Sequence, residues 1–380
     1  MKFVIEKKEL STITTLVHRA AANKTAIPVL SGLLIEANQD KGLVMTATDM
    51  EIGIKANSAQ AEIVEPGSVL VNAHYFADFI KLLPDLPIIL ELNRDSAKLS
   101  IQYGRSSGFI NTYREFEYPD LPVANMDRKL SLSQQELKEA LRKTSFAAAQ
   151  THFRQVFTGL LFDVLTSGEL RMVASDTHRL AFYRLQLAEP VAEAFSFIIP
   201  IRTVNELLRL LEDSPEPIHI ALSDNNALFY RDDVILHSRL IEGQYPNYEQ
   251  VIPTSFNTQV TINSHVILNT LERAKIMPTD DKLKIQHVQL ELSEEEVVVN
   301  TYSEAIGEIK EVIEEIATEG EPDLKISFNT SYFLDIAKLL SGESEKMTIN
   351  LSGSLGPAMI KNPQKDNYIY ILVPLRTSSQ

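Results

Sequence analysis

Cysteine is absent from the chain, which removes disulfides, thiol catalysis and thiolate metal sites together. No run of 18 apolar residues occurs, so no membrane span is expected. The opening MKFVIEKKEL lacks the apolar core of an export signal, and the expected location is the cytoplasm. Neither G-x-x-x-x-G-K-[ST] nor G-x-G-x-x-G is present, so no phosphate cradle is signalled. The eight histidines are scattered, with none at H-x-x-x-H or H-E-x-x-H spacing, so neither a metal nor a cofactor is expected. Positive charge is scarce too. A formal net charge of −15 argues at first against a nucleic-acid partner, whose phosphates need Lys and Arg. Net charge is an average, however, and one face can be basic while the rest is acidic.

What the chain does have is a repeat. Gly32–Ile54 and Thr158–Phe182 share one pattern, with Gly159 and Asp176 each 127 residues after Gly32 and Asp49. A fainter copy runs from His287 to Ile309. Each reads as strand, polar turn, strand, break, strand. A period this long is a domain and not a solenoid unit. The copies close on similar punctuation, and Tyr118 and Tyr245 are again 127 apart. The expected domains are 1–124, 125–253 and 254–380, with linkers near Val123–Arg128 and Thr254–Thr258. The fold class is α+β.

Each third carries two amphipathic helices. The first helices present Leu10, Ile13, Val17 and Ala20; then Leu137, Ala140, Leu141 and Thr144 behind the capping pattern Ser133-Gln-Gln-Glu136; then Ile267, Leu271 and Ala274 behind Asn263 or Ser264. The second helices present Phe76, Phe79, Ile80 and Leu83; Val204, Leu207, Leu208 and Leu211; and Phe333, Ile336, Ala337 and Leu340. Ile88–Leu92, Lys98–Tyr103, Ile218–Leu222, Met347–Leu351 and Tyr368–Val373 read as strands. Helices laid on one face of a sheet bury both stripes. Taking the first helix as Glu6–Lys24, formal charge over the six helices is about +5, leaving about −20 elsewhere. Positive charge therefore sits with the helices.

Lys81, Arg209 and Lys338 share one position on the second helices, opposite the apolar stripe, and each follows an acid by three residues. Asp78, Glu206 and Asp335 thus make ordinary solvated pairs the plainer reading there. Lys24 and Arg202 lack such neighbours and are the better candidates for phosphate contact. Asp49 and Asp176 read as turn residues, since Asp supplies turn hydrogen bonds readily. His178 beside Asp176 resembles half a dyad, yet Ser175 lacks the glycines of a nucleophile elbow. Nothing in the pattern signals an enzyme.

Taken together these residues resemble one family, the bacterial sliding clamps, the beta subunit of DNA polymerase III. The likeness rests on MKFVIEKKEL, Lys24-Thr-Ala-Ile-Pro-Val-Leu30, Thr48-Asp49, Val173-Ala-Ser-Asp-Thr-His-Arg-Leu180, Gly243-Gln-Tyr-Pro-Asn-Tyr248 and Val373-Pro-Leu-Arg376, in order along the whole chain. It implies three tandem copies of a clamp domain, two helices packed on β-sheet in each. Two chains would close head to tail into a ring around duplex DNA, helices inside and sheets outside. Such a protein is a non-catalytic processivity factor that reads no sequence.

The resemblance implies DNA contacts at Lys24, His74, Thr151, Arg154 and Arg202, with His74 standing where better-known members carry Arg. It also implies a groove for short linear peptides of the replicative polymerase, clamp loader, translesion polymerases and repair proteins. That groove would comprise Val156, Phe157, Ser175, Thr177, His178, Arg179, Leu180, Pro246, Gln250, Val251, Leu355, Pro357, Met359, Ile371, Leu372, Val373, Pro374, Leu375 and Arg376. Val156 replaces an aromatic and Gln250 an Arg of some relatives, which opens one edge, and Thr377–Gln380 extends the chain beside it. A homodimer seam would pair Gly108, Ile110 and Thr112 with Lys275, Ile276 and Met277 of the partner, Gly108 replacing an aromatic. Two competing readings are a monomeric peptide-binding scaffold that does not encircle DNA and a hydrolase using Asp176 and His178.

Overall fold

The computed structural model describes residues 1–114, 116–122, 128–278 and 285–376. Its helices are α1 (Lys7–Val17), α2 (Ala73–Leu82), α3 (Gln134–Thr144), α4 (Ile201–Leu210), α5 (Ser264–Ala274) and α6 (Thr330–Ser341). None is long and apolar enough to cross a membrane. The 3.6-residue stripes account for what they bury. Leu10, Val17, Phe76, Ile80, Leu137, Leu141, Val204, Leu207, Ile267, Leu271, Phe333 and Ile336 are all fully enclosed. Each such side chain contributes on the order of 1.5–3 kcal/mol relative to exposure.

The helix starts follow from local chemistry. Asn72, Asn263 and Asn329 cap α2, α5 and α6, each accepting from backbone N–H groups of the first turn. At α3 the Ser133 hydroxyl accepts from the Glu136 backbone N–H at 3.4 Å, half of a capping box. The first helix is shorter than expected. It gives way to a 3₁₀ turn at His18–Ala20, and Ala21 is extended because the Ala22 N–H bonds the Leu30 carbonyl at 2.8 Å. Lys24 therefore lies on an exposed loop beyond the helix.

The strands form meanders. In the first copy, Gly32–Asn38, Gly42–Thr48 and Ile52–Ser58 are one antiparallel run, and Pro87–Asn93, Lys98–Tyr103 and Ser106–Asn111 are another. The second copy repeats them as Gly159–Val164, Glu169–Ser175 and Arg179–Gln186, then Pro217–Leu222, Asn226–Arg231 and Val234–Arg239. The third has His287–Leu292, Val297–Ser303 and Gly307–Ile313, then Lys346–Leu351, Ala358–Lys361 and Tyr368–Leu372.

The sheets do not respect the copies. Val234–Arg239 of the second copy pairs with Ile52–Ser58 of the first, Ser238 opposite Ile52. Tyr368–Leu372 of the third pairs in the same way with Arg179–Gln186 of the second, Leu372 opposite Arg179. An eight-stranded and a nine-stranded sheet result, each drawing strands from two copies. This is why the chain divides compactly as Met1–Lys138 with Arg202–Ile241, and Glu139–Ile201 with Glu242–Gln380. The middle copy contributes one meander to each unit. In the first unit α1 packs on Ile52–Ser58, Gly42–Thr48 and α2; in the second α5 packs against α6 and on Gly307–Ile313. Among the strands that end sheets, Ser106–Asn111 ends a five-stranded sheet and Gly307–Ile313 a four-stranded one. The first expected linker falls largely outside the described residues, and the second leads straight into the strand Thr258–Asn263.

Candidate functional site

The break between the second and third strands of the repeat is one hydrogen-bonded device built twice. Asp49 Oδ1 accepts from the backbone N–H of Glu51 (3.0 Å) and Ile52 (2.9 Å), and Asp176 Oδ1 from those of His178 and Arg179 (both 3.0 Å). The hydroxyls of Thr48 and Ser175 donate to the carbonyls of Ile52 and Arg179 at 2.8 and 2.7 Å. Met50 and Thr177, at φ 78° and 77°, take the left-handed position between them. That conformation is costly for a side chain with Cβ, and the surrounding bonds hold it in place. Tyr118 receives the Thr48 N–H at 2.9 Å and donates to the Gly32 carbonyl at 3.2 Å. Burial raises its phenol to about 12. Asp49 and Asp176 are thus turn residues, as expected. Ser175 gives its proton to a main-chain carbonyl and not to His178, so no nucleophile is activated there.

Each turn's second carboxylate oxygen takes an arginine. Arg202 on α4 pairs with Asp49 Oδ2, although its side chain is 48% exposed. The expectation that Arg202 lacks a partner is therefore corrected: its acid lies 153 positions earlier, out of reach of any helix-face reading. Arg179 goes further. Its Nε donates to Asp176 Oδ2 at 3.0 Å, its Nη1 to Asp335 at 2.6 Å and its Nη2 to the Phe146 carbonyl at 2.6 Å. The Tyr332 ring lies 4.2 Å from its guanidinium carbon. Arg179 is a structural clamp, and its guanidinium is already committed within the fold. This also corrects the helix-face pairs. Arg209 does bond Glu206 at 2.6 Å, but Asp335 serves Arg179, and Lys338 reaches Glu272 at 3.9 Å instead. Lys81 makes no ion pair among the described residues.

The five expected phosphate contacts fall into two kinds. Lys24, Thr151 and Arg154 are exposed on equivalent loops. The Ala149 N–H bonds the Phe157 carbonyl at 2.9 Å, as the Ala22 N–H bonds that of Leu30. Phe153 on the second loop is 88% exposed. His74 and Arg202 instead begin α2 and α4. The His74 ring stands edge-on to His18, centroids 6.0 Å apart, and its Nε2 is buried with no partner among the described residues. Burial holds His18 below the usual imidazole range.

The expected groove residues come from five segments of the chain. Leu180, Ile371 and Met359 are successive cross-strand neighbours. Val156 and Phe157 form a short 3₁₀ turn, with Phe157 edge-on to Tyr245 at 5.9 Å. The Val373 N–H bonds the His178 carbonyl at 2.9 Å, and Leu375 N–H that of Ser327 at 2.8 Å, which fixes the C-terminal segment. Thr177, His178, Gln250, Val251, Leu355 and Arg376 are exposed, while Ser175, Pro246, Pro357 and Pro374 are wholly or partly covered. Ile371 and Leu372 are fully buried and lie beneath the surface rather than on it. Thr377–Gln380 lies outside the described residues.

At the seam positions, Ile276 (79% exposed) and Phe109 (59%) are apolar and bare, while Met277 is buried. Gly108 and Ile110 sit on the sheet-ending strand, and the Thr112 N–H bonds the Ala97 carbonyl. Lys275 donates to the Ser331 hydroxyl.

A buried lysine was not anticipated. Lys143 has a side chain only 2% exposed between Glu139 (2.7 Å) and Glu343 (2.8 Å), with the Tyr183 and Tyr368 rings beside it. The one signal in the sequence is that the corresponding residue of the first copy is apolar Leu16.

Comparison with known proteins agrees with this architecture. The N-terminal, central and C-terminal domain models of the DNA polymerase III beta subunit match residues 1–122, 131–247 and 249–376. The beta sliding clamp of Halalkalibacterium halodurans is 31% identical and that of Bacillus subtilis 29%, each over 99% of this chain and 100% of theirs. The crystal structure of the B. subtilis clamp superposes with a TM-score of 0.91 at 29% identity, covering 99% of both chains. That of the Streptococcus pneumoniae beta chain superposes at 0.92 with 28% identity, covering 99% of this chain and 100% of that one. With three consecutive domain models accounting for nearly every residue, the chain belongs to the beta subunit family of DNA polymerase III and is a sliding clamp, a processivity factor with no catalytic role of its own.

Proposed function

We propose that two copies of this chain close head to tail into a ring that holds duplex DNA by enclosure, in the cytoplasm. The observation that carries this is the pair of sheet-ending strands. At both internal junctions the last strand of one copy pairs with the third repeat strand of the copy before it. Ser106–Asn111 and Gly307–Ile313 are the remaining members of those two classes, and each ends its sheet. An unpaired edge is a template for another strand. Carrying over the first junction's register sets Gly307 opposite Ile110 of the partner subunit and Ile309 opposite Gly108 of the partner subunit. Exposed Phe109 lies on the first of these strands, and exposed Ile276 follows the helix that packs on the second; both gain from being covered. The repeats 1–124, 125–253 and 254–380 then act as six similar domains per ring.

Lys24, Thr151 and Arg154 are the readily available phosphate contacts. Arg202 reaches DNA on leaving Asp49, and His74 contributes little while its Nε2 is buried. Few, exposed and loosely held cations suit sliding, because counterion release favours the backbone without fixing a register. The groove around Leu180, Met359, Val156 and Val251 takes short peptides of polymerases, the clamp loader and repair proteins through an apolar anchor. The test is to load the protein onto nicked circular DNA with a clamp loader, then cut the circle. Enclosure predicts loss from the linear product; equal retention before and after cutting would refute it.

A further inference from the structure

Phe153 is the most exposed large apolar side chain among the described residues, at 88%. Its ring is nevertheless held. It lies against that of His152, centroids 4.4 Å apart with 30° between the planes. His152 in turn stands edge-on to Phe157 at 4.8 Å, and Phe157 edge-on to Tyr245 at 5.9 Å. Phe157 and Tyr245 are buried, so the bare ring is the outer end of a column of four rooted in the core. The Arg154 backbone N–H donates to His152 Nδ1 at 3.0 Å, which fixes the second ring across the turn. The Arg154 guanidinium lies 5.4 Å from the Phe157 ring and makes no ion pair among the described residues.

The loop does not need these rings to fold. In the first copy Thr25, Ala26 and Leu30 stand at the places of His152, Phe153 and Phe157, each 127 residues earlier. Both loops close with the same backbone bond all the same, Ala22 N–H to the Leu30 carbonyl at 2.8 Å and Ala149 N–H to that of Phe157 at 2.9 Å. A ring left in water forgoes the gain of burial, and one that the fold does not require is open to a ligand that covers it. The neighbours say which ligand. A flat apolar face beside a free guanidinium matches a nucleotide, base on ring and phosphate on cation. The sides of a duplex show no base faces, because its bases cover one another, so the fitting base is an unpaired one. A polymerase's template is single-stranded beyond the primer end, and a processivity factor works beside such bases.

We propose that Phe153, backed by His152, is a stacking platform for an unpaired base of single-stranded DNA, with Arg154 on the adjoining phosphate. For the phosphate this rests on the reading of Thr151 and Arg154 given above; the base contact goes beyond it. Stacking accepts every base, since each has a π face, so the platform adds hold without adding sequence readout. The two equivalent loops then differ in kind. The first, with Lys24 and no ring, takes phosphate alone, and the second takes phosphate and a base.

The full chain is titrated at low salt with fluorescein-labelled oligothymidylate and with an abasic strand of the same length, and binding is followed by anisotropy. The two strands carry the same phosphates and differ only in their bases. Oligothymidylate should bind about fivefold more tightly or better. Phe153→Leu, apolar but not flat, should remove that preference, and Phe153→Trp should keep it. A long blunt duplex should bind the wild type and both variants alike, which also checks their folding. Equal binding of the two strands by the wild type would overturn the platform and assign the bare ring to a protein partner. A preference that survives in Phe153→Leu would place the base elsewhere and overturn it as well. Arg154→Ala should weaken both strands by a similar factor; no loss there, with the base preference intact, would sink the phosphate reading of the loop and leave the platform standing.

Discussion

Arg179 illustrates how much a single side chain does here that its neighbours in sequence do not announce. One of its partners, Asp176, lies three residues away, but Asp335 is 156 positions later and the Phe146 carbonyl 33 earlier. Lysine keeps the charge and loses the fork, so Arg179→Lys should lower unfolding free energy by roughly 2–4 kcal/mol. Urea titration checks this, and a loss under 1 kcal/mol would mean the clamp is dispensable. The buried phenols give a second test. Tyr118 and Tyr183 are each raised to about 12, mainly by burial. The native state thus holds their protons more tightly than the unfolded chain, whose phenols titrate near 10. Their contribution is complete below pH 10 and is lost as pH rises through 12. Thermal unfolding from pH 9 to 11.5 should show Tm falling only above pH 10, and Tyr118→Phe should make that fall shallower.

The helices were the most legible elements, because a 3.6-residue stripe records a buried face directly. Phe333, Ile336, Ala337 and Leu340 needed no tertiary knowledge, and all four are buried. Helix ends were less legible. What stops α1 is a hydrogen bond from Ala22 to Leu30, across a loop, so Lys24 could not be placed from periodicity. Asn72 and Asn329 cap the second helices of the first and third copies and Asn263 the first helix of the third, and each →Ala change should cost about 1 kcal/mol. Since each bonds only the first turn of its own helix, the three should add to within about 0.5 kcal/mol, as denaturant melts of the triple variant would show. Loop and helix cations should also part company. Lys24→Ala should lower the slope of log affinity against log salt by about 0.9 per subunit, and Arg202→Ala by less, since Asp49 already holds that guanidinium. Equal slopes would mean the ion pair opens freely on DNA.

At the scale of the whole molecule, the repeat could be counted from the sequence, but the sharing of sheets could not. The partners of Ile52–Ser58 lie about 180 residues downstream, and alternation along a strand marks its buried face without naming its neighbour. The same sharing shapes the account of assembly: a copy lends its last strand to the copy before it, and the first copy has none before it within the chain. Lacking cysteine, the protein is a clean background for asking whether a second chain completes the series. Phe109→Cys with Glu308→Cys sets two thiols opposite each other in the carried-over register, within the 4.4–6.8 Å Cα separation a disulfide accepts. After mild oxidation, non-reducing electrophoresis should show one covalent dimer, closed at two seams. Uncross-linked monomer, or a ladder of ever longer polymers, would contradict the closed ring.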